Sequence, residues 1–157
     1  MKIALGADHG GFVLKNDIKN FLSGRGYQTV DYGTHSTEPC DYPVFAYKVA
    51  KAVSEHRAQA GVLICKSGNG MAMAANKLPG VRAAICFDTH VAVLSRQHNN
   101  ANILVLGSEH LLDDPEKIVK SWLEADFEGG RHERRVKQIT AIETKVEGKR
   151  LKGKGKK

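Results

Sequence analysis

The residues best placed to do chemistry lie in Gly61-Val-Leu-Ile-Cys-Lys-Ser-Gly-Asn-Gly70, which continues into Met71-Ala-Met-Ala-Ala-Asn-Lys77. A short apolar run ends on Cys65, turns through Gly68 and Gly70 and enters an alanine-rich helix. That order sets a thiol at the carboxyl end of a buried strand and aims the first backbone N–H groups of the helix into the same space. Helix N-termini stabilise anions and favour thiolate over thiol. The chemistry on offer is a nucleophile or base beside an anionic or oxyanionic substrate. The same pattern equally fits a small residue closing a buried strand, a common place for free cysteine. This stretch alone does not choose between the two.

The thiol needs a frame, and the hydrophobic pattern supplies one. Apolar runs at 2–6, 28–32, 61–65, 81–86 and 102–107 read as strands, several of them apolar enough to be buried on both faces. Between them, amphipathic helices are expected at 11–23, 42–56, 71–77, 89–98 and 114–125, with a charged C-terminal helix at 131–147. Asp114 and Pro115 form an N-cap and first-turn pair, Gly24 and Gly26 end the first helix, and Pro79-Gly80 breaks the chain before the fourth strand. Five strands separated by helices predict a single three-layer α/β/α domain with a Rossmann-like, doubly wound parallel sheet. Ligands collect at the carboxyl ends of such strands. That rule selects Asp8 and His9, residues 65–70, Asp88, and residues 107–110.

Composition excludes several classes. The 157 residues suit one domain with a substantial core. No apolar run approaches the roughly 20 residues needed to cross a bilayer, and the N-terminus is too short and too soon acidic for a secretory signal. Three cysteines, Cys40, Cys65 and Cys86, are an odd count that favours reduced thiols and a cytoplasmic setting. The formal net charge is +7, but residues 148–157 carry six basic side chains and no acidic one, leaving +1 for the rest. The domain therefore spans 1–147, followed by a basic Gly/Lys tail with nothing apolar to bury, expected to be solvated and without structure. Nucleic acid is not the expected partner.

Two phosphate motifs fail on inspection. Gly61-x-x-x-x-Lys66-Ser67 mimics a P-loop, but Cys65 stands where the second glycine is required. Gly68-x-Gly70 begins a dinucleotide fingerprint, yet Met73 replaces the third glycine, and the turn follows the third strand instead of the first. No pair of histidines has helical metal-ligand spacing, so no metal is expected. The loop residues match something else. Asp8-His9-Gly-Gly, Asp41-Tyr-Pro43, Cys65-x-Ser-Gly-x-Gly70, Ser95-Arg-Gln-His98-Asn99 and Gly129-Gly-Arg131-His-x-x-Arg135 occur in that order. Together they closely resemble the ribose-5-phosphate isomerase B family, which includes the galactose-6-phosphate and allose-6-phosphate isomerases. The resemblance covers residues 1–145.

The resemblance implies a cofactor-independent aldose–ketose isomerase acting on a phosphorylated sugar, with ribose 5-phosphate the leading substrate and four- or six-carbon aldose phosphates the alternatives. It implies that Cys65 moves the carbon-bound proton and that Ser67 donates to, or shuttles a proton between, the substrate oxygens. The backbone of Ser67, Gly68, Asn69 and Gly70 would cradle the developing oxyanion. His98 would open the sugar ring, and Asn99 would hydrogen-bond a hydroxyl. Asp8 would face the substrate and His9 the phosphate, although Asp8 equally fits a helix cap. Arg131 and Arg135, four apart on one helix face, suit phosphate oxygens. A homodimer, or a dimer of dimers, is implied, with the pocket at the interface and the arginines able to serve a neighbouring subunit.

Two positions depart from the family pattern. Lys66 stands where glycine usually follows the cysteine, and Glu109 where an arginine usually meets the phosphate. We expect Lys66 to supply the charge that Glu109 does not, or the substrate's anionic group to sit elsewhere or be smaller, or both side chains to face solvent. A non-catalytic sugar-phosphate or nucleotide-binding module remains the rival from another class. It would bind without turnover.

Overall fold

The computed structural model describes the backbone of residues 1–154 and the side chains of residues 1–146. The three central apolar runs become strands buried on both faces, while the two at the sheet edges are only partly covered. The strands are β1 (Lys2–Ala7), β2 (Gln28–Asp31), β3 (Ala60–Cys65), β4 (Ala83–Ile85) and β5 (Ile103–Gly107). All pairings are parallel, in the order β2-β1-β3-β5-β4. Alternation along the strands divides two cores. Ile3, Leu5, Val62, Ile64, Leu104 and Leu106 meet Ile18, Leu22 and Trp122 on one face. Ala4, Leu63, Cys65, Ile103 and Val105 meet Val49, Ala50 and Met71 on the other.

The helices are α1 (Phe12–Gly24), α2 (Tyr42–Ser54), α3 (Asn69–Ala75), α4 (Thr89–Asn99), α5 (Pro115–Glu124) and α6 (Arg131–Lys154). Helices α1, α4 and α5 cover the first face, α2 and α3 the second. Helix α6 packs on α4. Asp114 caps α5 by accepting the Glu116 and Lys117 N–H groups, as its sequence position predicts.

Three boundaries move. Helix α3 begins at Asn69, not at 71, because Gly68 takes a left-handed conformation that starts the helix at once. β4 is three residues long, not six, since the Arg82 N–H is taken by the Asn102 side chain before the ladder begins. Helix α6 continues to Lys154, past the expected end at 147, through lysines and arginine that favour helix. The expectation of an unstructured tail at 148–157 is thus corrected for the backbone to Lys154, and residues 155–157 lie outside the described residues.

Candidate active site

Three strand exits meet at one end of the sheet. Cys65 closes β3 opposite Gly107 of β5 and is only 5% exposed. Its Sγ accepts the Gly68 N–H at 3.2 Å. Gly68 makes that contact at φ 79°, a region that favours glycine. A side chain at Gly70 would run into the Tyr42 ring, so the loop backbone lies tight against the start of α2. Ser67 Oγ accepts the Asn69 N–H at 3.4 Å. The exits are stitched by main chain: the Ser108 N–H donates to the Cys65 carbonyl at 2.9 Å and the Glu109 N–H to the Lys66 carbonyl at 3.1 Å. Ser108 Oγ donates to the Gly10 carbonyl at 3.0 Å.

Asp8 and His9 complete this cluster. Asp8 Oδ1 accepts the Gly10 and Gly11 N–H groups at 2.9 and 3.1 Å, so this oxygen serves as the cap that its sequence position also fitted. His9 Nδ1 accepts the Cys40 N–H at 3.2 Å, which leaves Nε2–H as the donor of the neutral ring. The Cys40 thiol lies 3.9 Å from the same nitrogen. Lys66 extends its stem over Gly10 and ends 3.6 Å from Glu109 Oε1. The two departures from the family pattern thus pair with each other, because the neighbouring exits of β3 and β5 bring their side chains together.

A second cluster forms where α4 ends and α6 begins. The His98 and His132 rings stack with centroids 4.2 Å apart and planes 2° from parallel. Glu128 Oε2 lies 3.9 Å from His98 Nε2 and 3.6 Å from His132 Nε2. Arg131 Nε donates to His132 Nε2 at 3.2 Å. Burial, then the neighbouring His98 and Arg131, hold the His132 imidazole below its ordinary pKa, with Glu128 opposing and Arg135 adding a small push downward. Arg135 is exposed one turn further along α6. Asn99 is exposed and lines a cavity of about 430 Å³ with Arg82, Ile139 and Glu143. Among the described residues, no hydrogen bond or ion pair links this cluster to the Cys65 loop.

The sequence model of the Ribose/Galactose Isomerase family matches residues 3–139. The chain belongs to this family. It is 49% identical to ribose-5-phosphate isomerase B of Escherichia coli over 143 residues, 90% of this chain and 96% of that protein. The structure of Clostridium thermocellum ribose-5-phosphate isomerase B superposes with a TM-score of 0.91 at 50% identity, over 93% of this chain and 99% of the other. The crystal structure of Mycoplasma genitalium ribose-5-phosphate isomerase B with bound ribulose 5-phosphate superposes with a TM-score of 0.87 at 42% identity, over 91% and 96%. The matched span of this ribose/galactose isomerase takes in both clusters, from Asp8 to Arg135.

In this family member, sequence reasoning misses three residues beside the two clusters, Cys40, Glu128 and His132, while Ser108 falls within the 107–110 exit that it selects. Only His132 left a signal, as the neighbour of Arg131 in its motif. The donor atoms of His98, Glu128 and His132 lie within 4.8 Å of one another and have the composition of a zinc site. However, parallel rings send their lone pairs side by side instead of converging, and Arg131 already occupies His132 Nε2.

Proposed function

We propose that this protein is an aldose–ketose isomerase that interconverts ribose 5-phosphate and ribulose 5-phosphate. The observation that carries the reading is Cys65 at the β3 exit of a ribose/galactose isomerase, its sulfur accepting the Gly68 N–H and Ser67 in the same loop.

The chemistry divides among the residues present. Ring opening breaks the bond between C1 and the ring oxygen. The ring oxygen gains a proton and the anomeric hydroxyl loses one. His98 performs one of these transfers, and Asn99 holds a substrate hydroxyl. The Cys65 thiolate then takes the proton from C2. The electron pair released forms the C1–C2 double bond while the carbonyl π pair moves onto O1, giving the enediolate. Backbone N–H groups of residues 67–70 stabilise that oxygen, and Ser67 passes a proton from O2 to O1. The Cys65 thiol finally returns its proton to C1. Substrate and product have the same hydrogen and electron count, so the reaction calls for no redox cofactor.

His9, through Nε2–H, binds the phosphate together with Arg131 and Arg135. Because the arginines, His98 and Asn99 belong to one cluster apart from the Cys65 loop, we assign that cluster to the site of a second copy in a homodimer. The three cysteines are free, which agrees with the cytoplasmic setting that we propose. No helix among the described residues is long and apolar enough to cross a membrane.

The test is NMR of four-, five- and six-carbon aldose phosphates with the purified protein in D2O. Ketose formation from ribose 5-phosphate with deuterium entering at carbon supports the reading. Binding of these sugars without exchange would replace it with the binding-module reading. Turnover confined to four- or six-carbon sugars would reassign the substrate.

A further inference from the structure

His98 does not stand alone at the end of α4. His132 lies flat beneath it, with ring centroids 4.2 Å apart and planes 2° from parallel. Glu128 Oε2 approaches the Nε2 atoms of both rings, at 3.9 and 3.6 Å. The main chain holds the carboxylate there, since the Glu128 N–H donates to the Gln97 carbonyl, one residue before His98, at 3.0 Å. Arg131 Nε donates to His132 Nε2, so that nitrogen offers its lone pair and the neutral ring carries hydrogen on Nδ1. His132 is 5% exposed, while His98 and Glu128 retain contact with solvent.

These facts assign the two imidazoles different roles. Two positive rings in van der Waals contact repel, and charging the buried one also costs desolvation. His132 is further disfavoured as the proton carrier by the guanidinium donating into it. The stack therefore does not take two positive charges at once, and Glu128 faces the Nε2 edge of both rings. The other charges around the stack are Arg131 and Arg135 from α6. On α4 itself Arg96 lies two residues from His98, with Asp126 and Arg82, from the approach to β4, grouped around it.

We propose that Glu128 and His132 are positioning residues for His98. His132 is a neutral platform that fixes the plane of the catalytic ring, and Glu128, tied through its N–H to Gln97, is the carboxylate that faces the Nε2 edge of the stack and holds its rotation. The proposal rests on the reading of His98 as the ring-opening group.

His132→Asn and Glu128→Gln test it. Glu128 is half-exposed, so folding is not at stake in the second variant. Two measurements are made on the full-length protein. The first is NMR relaxation of the His98 ring, which reads its order and does not depend on turnover. The second is kcat/KM for ribose 5-phosphate and for erythrose 4-phosphate, which has no free hydroxyl to close a furanose ring. Both variants should leave the His98 ring less ordered. His132→Asn should cost ribose 5-phosphate turnover about tenfold and erythrose 4-phosphate little, and Glu128→Gln should act in the same direction. A His98 ring that stays as ordered as in the wild type in both variants overturns the proposal. So does an equal loss on both substrates. Failure of the ring-opening reading looks different: His98→Asn would then impair both sugars equally although the His98 ring still loses order in His132→Asn.

Discussion

Lys66 Nζ stands 3.6 Å from Glu109 Oε1, bridging the exits of β3 and β5 at the rim of the Cys65 loop. Both side chains are more than half exposed, so the pair adds at most ~1 kcal/mol to stability. Its effect is on charge: each side chain neutralises the other at the rim of the site that we propose. Glu109→Gln should release Lys66 to the phosphate and lower KM for ribose 5-phosphate about three- to tenfold, with Tm unchanged. Glu109→Arg should go further by adding a bidentate partner. Steady-state kinetics at two salt concentrations test this, since a freed lysine steepens the salt dependence. If KM is indifferent to both substitutions, the pair plays no part in binding.

Cys65→Ala should reduce isomerisation by ~10²–10⁴-fold, the usual worth of a general base, while leaving substrate binding intact. The fold should survive. The change removes one acceptor, that of the Gly68 N–H, and costs about 1 kcal/mol. Calorimetric binding beside NMR turnover separates the two effects. Turnover near the wild-type rate would remove Cys65 from the chemistry.

What could be read in the sequence follows physical range. The turn from Cys65 to Gly70 was legible because strand end, glycine and helix start are all local, and even there the helix begins two residues earlier than its apolar pattern. The insertion of β5 between β3 and β4 was not legible. Strand-helix alternation fixes that the strands are parallel, not which neighbours they choose. Asp8 admitted two readings, and the cap is one that the structure realises. The pairing of Lys66 with Glu109, and of His98 with Glu128 and His132, joins residues 30 or more apart through packing of strand exits and of α4 on α6. Sequence spacing carries no trace of such contacts, which is why a search for helical metal spacing passed over His132.

The three thiols should separate in a labelling experiment. Cys86 is fully buried, and burial pushes its pKa up to about 11 against an opposing hydrogen bond from Ser95, with Asp88 adding a smaller upward push. At pH 8 about one molecule in a thousand carries the Cys86 thiolate, the only form that alkylates. Cys86 should therefore react with iodoacetamide only after denaturation. Cys40, half-buried beside His9, should react in the folded protein. Sugar phosphate should slow labelling at Cys65. Peptide mass mapping over time reads all three, and early modification of Cys86 would contradict this account of its surroundings.

Acid stability should depend on a pair behind the site. The Lys15 ammonium, fully buried, lies 2.7 Å from Asp31 Oδ1 and donates to the Thr34 carbonyl at 2.6 Å. It thereby anchors the start of the segment that leads to Cys40 and its contact with His9. Burial alone would raise the Asp31 carboxyl. Hydrogen bonds from Lys15 and the Gly33 N–H, the Lys15 charge and then Lys19 outweigh it and hold the carboxyl below its ordinary value. A folded-state pKa below the unfolded one gives stability that is complete above the unfolded value and is lost as pH falls through the folded one. The loss should thus appear below about pH 4 and grow as the solution becomes more acidic. Asp31→Asn removes this dependence and leaves an unpaired ammonium in the core, at a cost of about 3–5 kcal/mol. For a chain of this size that corresponds to a Tm fall of roughly 10 °C at pH 7. The gap between wild type and variant should narrow as the wild-type carboxylate is protonated. Scanning calorimetry from pH 7 to pH 3 measures the gap, and a gap constant across that range would show that the pair does not carry the acid limb.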